Sequence, residues 1–306
     1  MKGSNSAISN VNDILCYEVL IRIFMTLSIT DLAVVSLVCK YWNQACRDPV
    51  LWKKLDLTQL SSHSFRVPKL LDAWYDRNSS TKMSQFLKYV LNLSDGNISC
   101  LIYNYYVYMR DEHLISAAER TPNLKRLVLP RSGQLSKTGI DIAMKFWGGL
   151  ESLTITSMVK HADIFSAIGK YCKRITELKF TCAFEDFHAN YLIKCTPNLK
   201  FLSIRSVMVN KKGLCRVLQS LEHLEVVNIC HSLIVERPNP RSRVVVYRIH
   251  DLRNHLDITC LRKLLFCKGR CLRCKYIGRE NNPTRLSPYG TFEGIWRDDE
   301  IPSLAH

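Results

Sequence analysis

No stretch of this 306-residue sequence is apolar enough to cross a bilayer. Its most apolar short run, Leu32–Cys39, falls far below the ~20 residues that a spanning helix needs. The first residues also lack a basic region running into an unbroken apolar one, because Asp13 and Glu18 interrupt it, so no secretory signal is read there. A Walker-type phosphate loop, a nucleophile elbow and a His-Glu-x-x-His helix are all absent, which leaves no recognised constellation for catalysis. Nor is there a disulfide framework. The thirteen cysteines are odd in number and scattered from Cys16 to Cys274, as reduced thiols are. The expectation is a soluble, non-catalytic protein of nucleus and/or cytoplasm, with no membrane partner and no cofactor.

A charge surplus is present, and its location matters more than its size. The formal net charge is +16, yet residues 1–56 are nearly balanced, with six Lys/Arg against five Asp/Glu. Residues 237–279 carry twelve Lys/Arg against Asp251 and Asp257, which is +10 of the +16. Nonspecific charge in one segment explains this without a specific nucleic-acid partner.

The middle of the chain has a counted rhythm. An apolar-x-x-apolar-x-apolar motif recurs as Ile98/Leu101/Tyr103, Leu124/Leu127/Leu129, Leu150/Leu153/Ile155, Ile175/Leu178/Phe180, Leu199/Leu202/Ile204 and Leu224/Val227/Ile229. The copies start 26, 26, 25, 24 and 25 residues apart. The alternation in each copy signals a strand, and helix-like segments such as Asp111–Arg120 and Lys211–Leu221 lie between copies. One strand and one helix within a period of ~20–29 residues make a leucine-rich repeat. A single unit cannot cover its own apolar face, so neighbours stack into one continuous core. The fold class is therefore α/β: a right-handed solenoid with parallel strands on the concave face and helices on the convex face. Thr121-Pro122-Asn123-Leu124 and Thr196-Pro197-Asn198-Leu199 place proline where each helix must stop.

Side chains between the inward apolar positions point the other way, onto the concave face. Arg126, Val128, Thr154, Lys179, Phe201, Arg205 and Asn228 are the candidate cargo-binding residues there. The mixture suits a protein partner. A nucleic-acid groove would show a dense Lys/Arg track with stacking aromatics.

Residues 13–57 carry a different pattern. Leu15, Val19, Leu20, Ile23, Phe24 and Leu27 follow helical spacing, Thr30 and Asp31 resemble a cap before a second apolar run, and Asp48-Pro49 opens a short helix ending near Trp52. Three short helices leave an apolar surplus that needs a partner or a neighbouring domain. The order Leu15-x-x-Glu18-Val19-Leu20-x-x-Ile23-Phe24-x-x-Leu27, Asp31-Leu32, Val38-Cys39-x-x-Trp42, then Asp48-Pro49-x-x-Trp52-x-x-Leu55-Asp56-Leu57 resembles the F-box. One departure is Cys16, where that family usually has proline. Segments such as Leu150-Glu151-Ser152-Leu153-Thr154 and Trp296-Arg297-Asp298-Asp299-Glu300 make the whole chain similar to plant F-box/leucine-rich-repeat proteins.

The resemblance implies a substrate receptor of an SCF-type ubiquitin ligase. Its F-box would bind a Skp-family adaptor, and through it cullin and RING subunits, while the repeats hold a protein target. An F-box scaffold working outside a ligase is the alternative. Leu15, Glu18, Leu20, Ile23, Phe24, Leu27, Val38 and Trp42 form the adaptor-binding set that the resemblance implies. The division expected is 10–57 helical module, 58–97 linker and first convex helix, 98–236 repeats, and 237–306 basic loop, degenerate repeat and cap. In that last part Leu261/Leu264/Phe266 fits the repeat template. Cys260, Cys267, Cys271 and Cys274 include one Cys-x-x-Cys pair without the second pair that a structural zinc site shows, so no metal is assigned.

Overall fold

The six repeat copies fold into neighbouring strands of one sheet. The computed structural model describes residues 16–58, 60, 77–104, 107–130, 132–156, 160–236, 244–247, 261–267 and 299–305. The chain opens with helices α1 (16–24), α2 (Ile29–Val35) and α3 (Lys40–Ala45), then a 3-10 turn at Pro49–Trp52. Strand β1 (Lys54–Asp56) follows at once, then α4 (Arg77–Leu93), β2 (Cys100–Ile102), β3 (Tyr108–Arg110) and α5 (Asp111–Arg120). Next come β4 (Arg126–Val128), β5 (Ser132–Gln134), α6 (Lys137–Phe146), β6 (Ser152–Ile155), α7 (His161–Tyr171), β7 (Glu177–Phe180) and α8 (Asp186–Cys195). The series continues through β8 (Phe201–Ser203), β9 (Met208–Asn210), α9 (Lys211–Ser220), β10 (Val226–Asn228), β11 (Leu233–Glu236), β12 (Val245–Tyr247) and β13 (Lys263–Leu265).

The main sheet runs β1-β2-β4-β6-β7-β8-β10-β13, and every neighbouring pair is parallel. Its register puts Leu101, Leu127, Leu153, Leu178, Leu202, Val227 and Leu264 in one row. All eighteen apolar positions of the six copies are at most 2% exposed. A buried aliphatic side chain contributes about 1.5–3 kcal/mol, so this lattice is the main source of the solenoid's stability. Successive helices α4 to α9 pack side by side against it.

Helix ends follow the sequence. The Thr121 and Thr196 hydroxyls donate to the carbonyls of Ala117 and Leu192, closing the last turn before each proline. The Trp147 indole N–H donates to the Thr121 carbonyl at 3.1 Å, tying one repeat to the next. A Cβ at Gly139 would lie 2.3 Å from the Asp111 carboxyl, so only glycine lets α6 meet the carboxylate that binds Ser136 Oγ.

Three features differ from expectation. The sheet begins at β1, inside the stretch assigned to the helical module. Ser28, not Thr30 or Asp31, caps α2, with its Oγ accepting from the Asp31 amide. Two small sheets, β3-β5 and β12-β11-β9, also flank the main one.

Candidate functional surfaces

The N-terminal helices divide their apolar residues between two faces. Leu20, Ile21 and Phe24 of α1 turn inward with Leu32, Ala45 and Trp52. Phe24 meets Trp42 edge-on at 5.6 Å. The Trp52 indole donates to the Cys46 carbonyl at 2.7 Å. Asp48 accepts from the Val50 amide and from the Tyr17 hydroxyl, fixing the 3-10 turn against α1. Burial and then the Asp48 carboxylate push the Tyr17 hydroxyl above its ordinary range.

The outer face is apolar and open. Val19 and Ile23, one turn apart on α1, are 54% and 52% exposed; Val34, Leu37 and Val38 exceed 60%. Of the fourteen exposed large apolar side chains among the described residues, eight lie in residues 16–52. Monomeric surfaces rarely concentrate apolar side chains in this way, and such a patch marks an interaction site.

Of the adaptor-binding residues named from sequence, Glu18, Ile23 and Val38 lie on the outside, and Leu27 and Trp42 are half-buried. Leu20 and Phe24 belong to the internal core instead, because the crossing of α1 over α3 turns that stripe inward. Leu15 lies outside the described residues. Val19, Met25, Val34, Leu37, Tyr41 and Val50 were not named and are exposed. Helical spacing shows two stripes but not which of them the other helices cover.

The second surface is the concave face, and it is not open. Thr154, Lys179, Arg205 and Asn228 are at most 3% exposed, Val128 is 8% exposed, and Arg126 and Phe201 are half-buried. Part of the cover is residues 299–305. Lys179 Nζ lies 3.3 Å from Glu300 Oε2 and donates to the Leu304 carbonyl at 2.9 Å. Ser203 Oγ donates to Glu300 Oε2 at 2.9 Å. Asn228 Nδ2 donates to Glu300 Oε1 at 2.7 Å and to the Asp299 carbonyl at 2.8 Å. His231 Nε2 sits 2.9 Å from Asp299 Oδ2. The expected open strip is therefore occupied by a distant part of the same chain. Arg126 makes an ion pair with Glu177 at 3.4 Å.

A cluster on the helical side looks reactive and is not. The Glu185 amide donates to His188 Nδ1, so His188 carries its proton on Nε2 and directs it to His161 Nδ1 at 2.8 Å. His161 Nε2 in turn lies 3.6 Å from Cys182 Sγ. Burial pushes the Cys182 thiol up to about 12 and, with the His161 ring, His188 down to about 3. A chain of neutral groups already pointing one way cannot generate a thiolate. No group of three or more potential metal ligands occurs among the described residues. Of the four late cysteines, only Cys267 is described, half-buried; Cys260, Cys271 and Cys274 lie outside the described residues. No described helix is long and apolar enough to cross a membrane.

Comparison with known proteins adds to this geometry. The F-box-like family profile matches residues 15–58. The F-box/LRR-repeat protein At3g48880 of Arabidopsis thaliana is 36% identical over 293 residues, covering 94% of each chain. The putative F-box protein At4g11580 of the same plant is 24% identical over 323 residues, again covering 94% of each.

Proposed function

The chain belongs to the plant F-box/leucine-rich-repeat proteins, and from that membership we propose that it is a substrate receptor of an SCF-type ubiquitin ligase. In this reading the exposed apolar face of α1 to α3 docks on a Skp-family adaptor, and cullin and RING subunits join through that adaptor. The repeats bind a protein target in the nucleus or cytoplasm. The observation that carries the reading is the clustering of Val19, Ile23, Val34, Leu37, Val38 and Tyr41 on a module whose own core is already filled.

The receptor supplies proximity. Holding a target lysine near a charged conjugating enzyme turns an encounter between separate molecules into one at high effective concentration, without a catalytic side chain from this chain. Buried thiols fit that role. Burial raises Cys172 and Cys230, as it does Cys182, to about 12, so none of the three is poised to carry ubiquitin as a thioester.

The test is co-purification of the full-length chain with a Skp-family adaptor and cullin. Ile23→Glu with Val38→Glu should abolish adaptor capture while circular dichroism stays unchanged. Retained capture by the folded double variant would sink the assignment, and capture of adaptor without cullin would favour the scaffold alternative.

A further inference from the structure

The parallel register aligns Lys179 on β7 with Ser203 on β8, and Ser203 with Asn228 on β10. Residues in one row of a sheet project from the same face, on strands about 4.8 Å apart. Here that row forms a three-point grip on a single carboxylate, that of Glu300. Asn228 is oriented for the task. Its Oδ1 accepts from the Cys230 amide at 2.9 Å, which turns the Nδ2 donor outward to Glu300.

Sheet stability does not require polar residues here. Apolar Ile102, Val128 and Leu265 stand in the same row, besides the polar Asp56 and Thr154. A lysine held at 0% exposure is costly unless an anion reaches it. The anion comes from 121 positions along the chain, since 300 − 179 = 121. It arrives on a segment whose Pro302–Leu304 turn buries Ile301 and Leu304. Side-chain anchors, two backbone carbonyls and two buried apolar side chains are how a peptide ligand is held.

We propose that the Lys179–Ser203–Asn228 row is a carboxylate-reading peptide site, that a target protein enters it with a segment of the pattern Glu-apolar-Pro-x-Leu, and that Glu300–Leu304 fills it as a tethered competitor. The row stands on the contacts above. Only the source of the entering segment, a target protein, rests on the receptor reading. A tethered segment faces its site at an effective concentration on the order of millimolar. A separate peptide of micromolar affinity therefore binds measurably only when the tethered copy is weakened.

The probe is a fluorescently labelled peptide of residues 299–305, titrated by anisotropy into full-length chains. Ile301→Ala with Leu304→Ala loosens the tethered copy without leaving Lys179 facing a missing charge. This variant should bind the probe about tenfold or more tighter than wild type. A probe with Lys in place of the Glu300 equivalent should lose about tenfold or more in affinity, since a misplaced charge repels. Adding Lys179→Met should also remove binding; should that chain not fold, the altered probe tests the same contact without touching the protein. Equal binding of both probes, or no gain over wild type by the folded double variant, overturns the proposal. Adaptor capture measured on the same samples separates the two readings: its loss alongside intact probe binding indicts the ligase assignment, not the row.

Discussion

The helical module and the concave row are both recognition surfaces, yet they differ in what their own chain does for them. On the module, Val19, Ile23 and Val38 keep half or more of their surface in water. On the row, Lys179 and Asn228 are wholly buried and are hydrogen-bonded to residues 299–305. Apolar exposure is non-directional and tolerable on a small scale, so a module can wait for its partner. An ammonium group covered by that segment needs an anion beside it for as long as it is covered, because an uncompensated buried charge costs too much. The apolar face thus stands open, whereas the covered lysine keeps an acidic partner from its own chain.

Four measurements test that contrast. Within the module, Phe24→Ala should cost about 3–5 kcal/mol in urea denaturation, since Phe24 is 2% exposed against Trp42; a loss under about 1 kcal/mol would mean that the inner stripe is misplaced. Next in size, Glu300→Ala should destabilise by about 1–3 kcal/mol. That is less than a locked buried pair would lose, because Lys179 regains water when the segment lifts. A simultaneous rise in hydrogen exchange at Ile301 and Leu304 should accompany it, and unchanged exchange would contradict the release.

Acid separates the regions differently. Residues 16–58 contain no histidine, whereas His188 is held neutral in the solenoid with its pKa lowered to about 3. The unfolded chain takes up that proton near pH 6.5. The contribution is therefore complete above pH 6.5 and is lost as pH falls towards 3, amounting to about 2 kcal/mol by pH 5. His188→Gln should flatten that slope, and an unaltered slope would assign the acid sensitivity elsewhere. Smallest of all, Ile23→Ala should shift stability by less than about 0.5 kcal/mol while weakening adaptor capture. A larger stability loss would place Ile23 in the core beside its neighbour Phe24.

Much of the fold was legible because it repeats. The copies at Leu124, Leu150 and Leu199 gave strand positions, and helix α5 falls on the segment read from sequence, Asp111–Arg120. Strand β1 was hidden because Leu55 and Leu57 also complete the F-box pattern. The flanking strands β3, β5 and β9 have three residues each, too few to show alternation. The two surfaces were legible to different depths. Spacing marks α1 as two-striped, but choosing between Ile23 and Phe24 requires knowing where α3 crosses. For the occupant of the concave row, Asp299 and Glu300 stand in a segment read as family-like and within the cap, but its partners were hidden, because Asp299–Ala305 has no periodicity and its contacts span up to 125 residues.

Strand β1 begins two residues after the 3-10 turn, and Ser99 Oγ donates to the Lys53 carbonyl at that junction. Arg47 likewise reaches the Asn92 carbonyl, and Ser36 meets the Tyr89 hydroxyl. Among the described residues no hinge separates the helical module from the repeats, so the distance from one to anything carried on the other is set by counting strands. Each repeat gained or lost in a relative would move the load by a step of about 4.8 Å, a ruler graduated in whole repeats.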